Sequence, residues 1–117
     1  MKPSSAKAKG RRLQDEVRKA ILSTFPNLEE DDVKCAIMGE SGEDIHFSPV
    51  ARLAVPFSIE CKNQESLNIW KALAQAEGHG HPPVVVFKRN HSETFAALKF
   101  SDLLILLQAR YQLDNTY

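Results

Sequence analysis

Ser58-Ile59-Glu60-Cys61-Lys62 sets a carboxylate and an amine two residues apart. Alternate side chains of an extended strand share a face, so Glu60 and Lys62 stand together with Ser58, opposite Phe57, Ile59 and Cys61. A second carboxylate, Asp44, precedes the alternating run Ile45-His46-Phe47-Ser48. There Ile45 and Phe47 take one face, and Asp44, His46 and Ser48 take the other. If the two runs are neighbours, Asp44, Glu60 and Lys62 converge. Two carboxylates at one point repel each other unless a cation lies between them. Mg²⁺ suits the pair, because it takes one or two carboxylates and completes its octahedron with water and substrate phosphate. Mn²⁺ is the expected substitute. Such an ion acidifies water and offsets charge on phosphate. A lysine beside it can orient that water or stabilise the charge that develops. This set points to hydrolysis of a phosphodiester.

The elements that must position these residues follow from periodicity. Leu13, Val17, Ala20, Ile21 and Phe25 form one apolar stripe, which predicts a helix over 11–25 ended by Pro26 and Asn27. Strands are expected at 33–38, 43–48, 57–62, 84–88 and 94–99, with residues 50–56 as a connection after Pro49. Helices are expected at 65–77 and at 102–111, the last capped by Ser101 and carrying a Leu-Leu-Ile-Leu-Leu run that needs burial. The loop Gly-His-Gly-His-Pro-Pro at 78–83 separates strand from helix. The strand–helix–strand passage in the middle requires a parallel crossover. The expected class is α/β or α+β, a mixed sheet with helices packed on it in the order α-β-β-β-α-β-β-α.

The first acidic motif, Gly42-Glu43-Asp44, followed 16 residues after Asp44 by Glu60-Cys61-Lys62, resembles that of the PD-(D/E)XK nuclease superfamily. The stretch Lys-Gly-Arg-Arg-Leu-Gln-Asp-Glu-Val at 9–17 is similar to the first helix of archaeal-type Holliday-junction resolvases and their phage relatives. Gly-Glu-Asp stands where Pro-Asp is usual, so Glu43 and Asp44 compete for one role. The alternation and the following Ile45 favour Asp44. The resemblance implies a restriction-endonuclease-like central sheet and a Mg²⁺-dependent homodimer that cuts four-way DNA junctions recognised by shape. It implies metal ligation by Asp44, Glu60 and the Cys61 backbone carbonyl, with Glu16 at a second ion or acting through water. Lys62 would position the attacking water. Asn68, Lys71 and Gln75 share a face of the second helix, and Gln75 or Lys71 would stand beside the scissile phosphate. A restriction, nicking or repair nuclease of the same superfamily is the alternative within the fold. A DNA-binding module that has lost the chemistry is the alternative outside catalysis.

Charge distribution agrees with a polyanionic partner. The net charge is zero, but residues 1–19 set Lys2, Lys7, Lys9, Arg11, Arg12, Arg18 and Lys19 against only Asp15 and Glu16. A basic, flexible arm at 1–10 ahead of a single domain at 11–117 is the expected organisation, with Lys7, Lys9, Arg11 and Arg12 on DNA backbone. Lys71, Lys88 and Arg89 are further phosphate contacts. No apolar run approaches the roughly 20 residues of a membrane span, and the basic start has no secretory apolar region behind it. The expected location is therefore cytoplasmic, the host cytoplasm for a phage protein, on the nucleoid. Cys35 and Cys61 make no disulfide framework. His79 and His81 lack the partners of a zinc site.

Overall fold

The computed structural model describes residues 3–37 and 42–115. It is a mixed α/β structure: α1 (Pro3–Thr24), a 3₁₀ turn (Glu30–Asp32), β1 (Val33–Cys35), β2 (Ile45–Phe47), α2 (Pro49–Ala54), β3 (Ser58–Asn63), α3 (Ile69–Ala76), β4 (Pro83–Lys88), β5 (Phe95–Leu98) and α4 (Phe100–Asp114).

The expected stripe forms the inner side of α1. Leu13 and Val17 are buried, and Ile21 and Phe25 pack partly against the same core, while Ala20 stays exposed. α1 starts at Pro3, so residues 3–10 are helix and not the expected arm. Two features explain the extension: proline is tolerated in a first helical turn, and alanine and lysine are good helix formers. Arg18 ties the helix to β1, donating from Nε to the Val33 carbonyl (2.6 Å) and from a terminal nitrogen to the Glu30 carbonyl (2.9 Å).

The parallel crossover is present. β3 and β4 pair parallel through α3, with Glu60 beside Val85 and Lys62 beside Phe87, and β5 pairs antiparallel with β4. The sheet is not continuous, however. β1 and β2 form a separate antiparallel pair, Val33 opposite Phe47 and Cys35 opposite Ile45. A backbone hydrogen bond from Asp44 N to the Ile59 carbonyl (3.1 Å) joins this pair to β3. β2 cannot extend the contact, because it ends at Phe47 and Ser48 begins a helix. The expected connection at 50–56 is largely α2. The Ser48 hydroxyl accepts from Ala51 N (3.2 Å), and Pro49 occupies the first turn. Ser-Pro is thus a helix start here and not only a strand break. β1 stops at Cys35, three residues short of the expected end; position 38 lies outside the described residues.

The alternation of β3 sends its two faces to different cores. Ile59 and Cys61 join Leu13, Val17, Val33, Ile45 and Ala51 beneath α1. On the other face, Val85 packs against Ala72 and Ala76 of α3, with Leu67, Leu73 and Phe87 around them. Each fully buried Leu, Ile or Val contributes about 1.5–3 kcal/mol, so β3 and β4 are held firmly from both sides.

α4 departs most from expectation. It begins at Phe100 after Lys99, earlier than a Ser101 cap would allow, and none of its residues is buried. Leu103 to Leu107 retain 36–62% of their exposure, and Trp70 of α3 retains 80%. No helix among the described residues is long and apolar enough to cross a membrane.

Candidate active site

β3 delivers Glu60 and Lys62 to one face, as period-2 alternation requires. Lys62 Nζ lies 3.7 Å from Glu60 Oε1, and both side chains are largely buried. Ser58 is buried as well, so the polar face closes at that end and opens toward Lys62.

Asp44 reaches the same strand from the loop before β2. Its Oδ2 accepts a hydrogen bond from Cys61 N at 2.7 Å, and its own N donates to the Ile59 carbonyl. A residue's N–H and C=O point to the same side of a strand. The Cys61 carbonyl therefore opens on the edge that Asp44 occupies. Asp44 and Glu60 meet at that edge, where β3 has no strand neighbour among the described residues.

The competitor, Glu43, has another task. Both its oxygens accept from one Arg52 nitrogen (3.2 and 3.0 Å). Arg52 also donates to the Phe57 carbonyl (2.6 Å) and lies 4.8 Å from the Phe47 ring centre. Glu43 thus anchors α2 and leaves Asp44 free to face β3. Arg52→Ala would strand a largely buried carboxylate, and an unfolding free energy about 2–3 kcal/mol lower is expected by denaturant titration.

The electrostatics of the pair are those of crowded anions. Glu60 is pushed up to about 7, first by burial and then by the Asp44 charge. Lys62 opposes this, as would a charged His79, without cancelling it. The buried Cys61 thiol is pushed up by burial and by both carboxylates, and Cys35 is raised mainly by burial. Neither cysteine is poised as a thiolate nucleophile.

A polar cleft of about 140 Å³ adjoins Lys62, lined by Gln64, Leu67, Asn68, Lys71, Ala72 and Gln75. The expected Lys71 and Gln75 are therefore walls of the space beside Lys62. Asn68 is partly committed, since its side-chain oxygen caps α3 by accepting from Lys71 N (3.1 Å). Gln64 was not anticipated, although it continues the Glu60–Lys62 alternation by one step. Lys88 and Arg89 line a neighbouring cavity. Lys7, Arg11 and Arg12 are exposed along α1, with Lys9 half-buried, and none of them lines the cleft.

Glu16 is not brought to the pair. It borders an open apolar groove of about 340 Å³ with Ile59, Val86 and Thr94, on the sheet face opposite Glu60 and Lys62. The α1 flank turned toward β1 carries Arg18 and, one turn earlier, the half-buried Gln14. That flank lies nearer Asp44, whose charge acts on Cys35 together with those of Asp15 and Arg18.

Compared with protein-family models, with curated proteins and with solved structures, the chain matches none.

Among the described residues, no three His, Cys, Asp or Glu side chains gather as a metal cage. The donor set is two carboxylates and one carbonyl. That fits Mg²⁺, which keeps several waters and needs only one or two carboxylates. It does not fit zinc, which takes three or four nitrogen, sulfur or carboxylate ligands.

Proposed function

We propose that the protein is a Mg²⁺-dependent, structure-specific DNA endonuclease of the Holliday-junction resolvase type. The observation that carries this reading is the meeting of Asp44, Glu60 and Lys62 at the free edge of β3. Asp44, Glu60 and the Cys61 carbonyl would hold the ion. When bound, Mg²⁺ supplies positive charge to the scissile phosphate and acidifies water at neutral pH. Asp44 is fixed by its bond to Cys61 N, so one carboxylate is oriented before any ligand arrives. Glu60, pushed up to about 7, exchanges its proton near neutrality. Lys62 sits at the mouth of the polar cleft, placed to hold the attacking water or the developing charge. Lys71 and Gln75 face the cleft from α3 and would orient the phosphate. Lys88, Arg89, Arg11, Arg12, Lys7 and Lys9 would contact DNA backbone, which fixes position without reading sequence.

A four-way junction is two-fold symmetric, and a homodimer would match it. α4 supports that state. Phe100, Leu104, Leu107 and Tyr111 make a seam at spacings of four, three and four. The order aromatic, leucine, leucine, aromatic is its own reverse. Two antiparallel copies would therefore set Phe100 against Tyr111 and Leu104 against Leu107. Leu104→Glu with Leu107→Glu is expected to give a monomer by light scattering, where the unaltered chain gives a dimer.

The deciding experiment incubates the protein with a labelled four-way junction and with matching linear duplex, in Mg²⁺ and in EDTA. Paired symmetric nicks in the junction alone, only with Mg²⁺, are expected. Cutting of both substrates would make the protein a broader endonuclease of restriction, nicking or repair type. Tight binding without cleavage would make it a DNA-binding module.

A further inference from the structure

A second cavity lies one strand further along the same sheet face. It measures about 310 Å³ and is lined by Gln64, Glu65, Leu67, Phe87, Lys88, Arg89, Ser92 and Phe95. Gln64 and Leu67 also line the cleft beside Lys62, so the two spaces are adjacent. The strand register explains why. Lys62 pairs with Phe87, and Phe87 with Phe95, which sets all three in one row across β3, β4 and β5. Strands are about 4.8 Å apart, so Phe95 lies roughly 10 Å from Lys62 across the sheet.

The cavity combines an apolar floor with a polar rim. The Phe87 and Phe95 rings are tilted with centres 6.0 Å apart, and Phe95 remains 53% exposed. Its walls are fixed by backbone bonds: Asn90 N to the Glu65 carboxylate (2.8 Å), Gln64 N to the Lys88 carbonyl (3.1 Å), and Arg89 N to the Ser92 hydroxyl (3.0 Å). An open aromatic face beside an amide and two cations is what an unstacked nucleobase and its phosphate require.

We infer that this cavity takes one unstacked nucleobase of the DNA strand whose neighbouring phosphate enters the cleft at Lys62. The base stacks on Phe95 above Leu67 and Phe87. Gln64 meets its polar edge, and Lys88 and Arg89 hold the adjoining phosphate. The inference deepens the nuclease reading and rests on it only for the place of the cleaved phosphate. Branched DNA is the natural source, because bases at a branch point are the least costly to unstack.

The test uses the full chain in EDTA and junction DNA carrying 2-aminopurine at successive positions around the crossover. The probe brightens when it leaves the base stack. A several-fold rise at one position is expected. Phe95→Leu, which keeps apolar bulk but removes the ring, should abolish the rise and weaken binding about ten-fold. Phe95→Tyr should restore both. No rise at any position, or a rise unchanged in Phe95→Leu, overturns the pocket. Junction cleavage in Mg²⁺ with either of those results leaves the nuclease reading standing alone. A Phe95-dependent rise without cleavage keeps the pocket and removes the nuclease.

Discussion

Lys62→Ala is expected to lower Mg²⁺-dependent cleavage at least a hundred-fold while leaving the fold and DNA binding in place. The magnitude is that of removing one preorganised group that stabilises transition-state charge. The fold should survive because Lys62 stands at the mouth of the cleft, and its ion pair with Glu60 is long at 3.7 Å. Asp44 needs a subtler variant. Asp44→Ala would remove both a proposed metal ligand and the acceptor for Cys61 N, and an orphaned buried N–H costs about 1–3 kcal/mol. Asp44→Asn keeps an oxygen for that bond and removes the charge. Its cleavage should fall as far as that of Lys62→Ala, with little change in the denaturation midpoint. Glu43→Gln is the control: it weakens the anchor on Arg52 but should still cut. Quantitative cleavage by both Lys62→Ala and Asp44→Asn on a labelled junction would sink the proposed mechanism.

The parts of the site carried by one strand were legible in the sequence. Alternation alone placed Glu60 beside Lys62, and the same rule, carried one step further, reaches Gln64. The parallel crossover was legible too, because strand–helix–strand leaves few alternatives. What depends on how elements dock was not. A helical wheel sets Glu16 at the border of the apolar stripe but does not say which flank faces which strand. Arg18 decides that by bonding to β1, and Glu16 consequently faces Val86 and Thr94. The two sheets are joined through the backbone and carboxylate of Asp44, a contact that no periodicity encodes. Ser48-Pro49 reads equally as the end of a strand and the start of a helix, and the chain uses it as both. The apolar run of α4 did announce a need for burial. The single chain does not meet it among the described residues, and a second copy on the proposed α4 seam would.

Stability of the metal-free protein is expected to fall as pH rises through the neutral range, and Glu60 is the cause. Its folded value, about 7, lies above its ordinary value of 4.5. Between those values the folded chain keeps a proton that the unfolded chain has released, so each step up in pH favours unfolding. The contribution is fully present below about pH 4.5 and is lost once pH passes about 7. At about 1.4 kcal/mol per unit the full difference is about 3.5 kcal/mol, and solvent screening at the partly open site reduces the loss to the order of 2–3 kcal/mol. Asp32, held below the usual carboxylate range by its bonds to Glu29 N and Ser48, acts in the opposite sense but only at lower pH. Glu60→Gln should flatten the neutral part of the profile, since a neutral amide suits the crowded pair at every pH. Mg²⁺ should oppose the trend in the unaltered chain. It binds the charged form, so its stabilisation should be small near pH 5 and largest above pH 7. Glu60→Gln should lose most of that metal response. Denaturant titrations at pH 5, 6, 7 and 8, with Mg²⁺ and with EDTA, measure all of this. A flat EDTA profile in the unaltered chain would mean that neither burial nor the Asp44 charge raises Glu60, and the crowded geometry on which the proposed metal site depends would then be wrong.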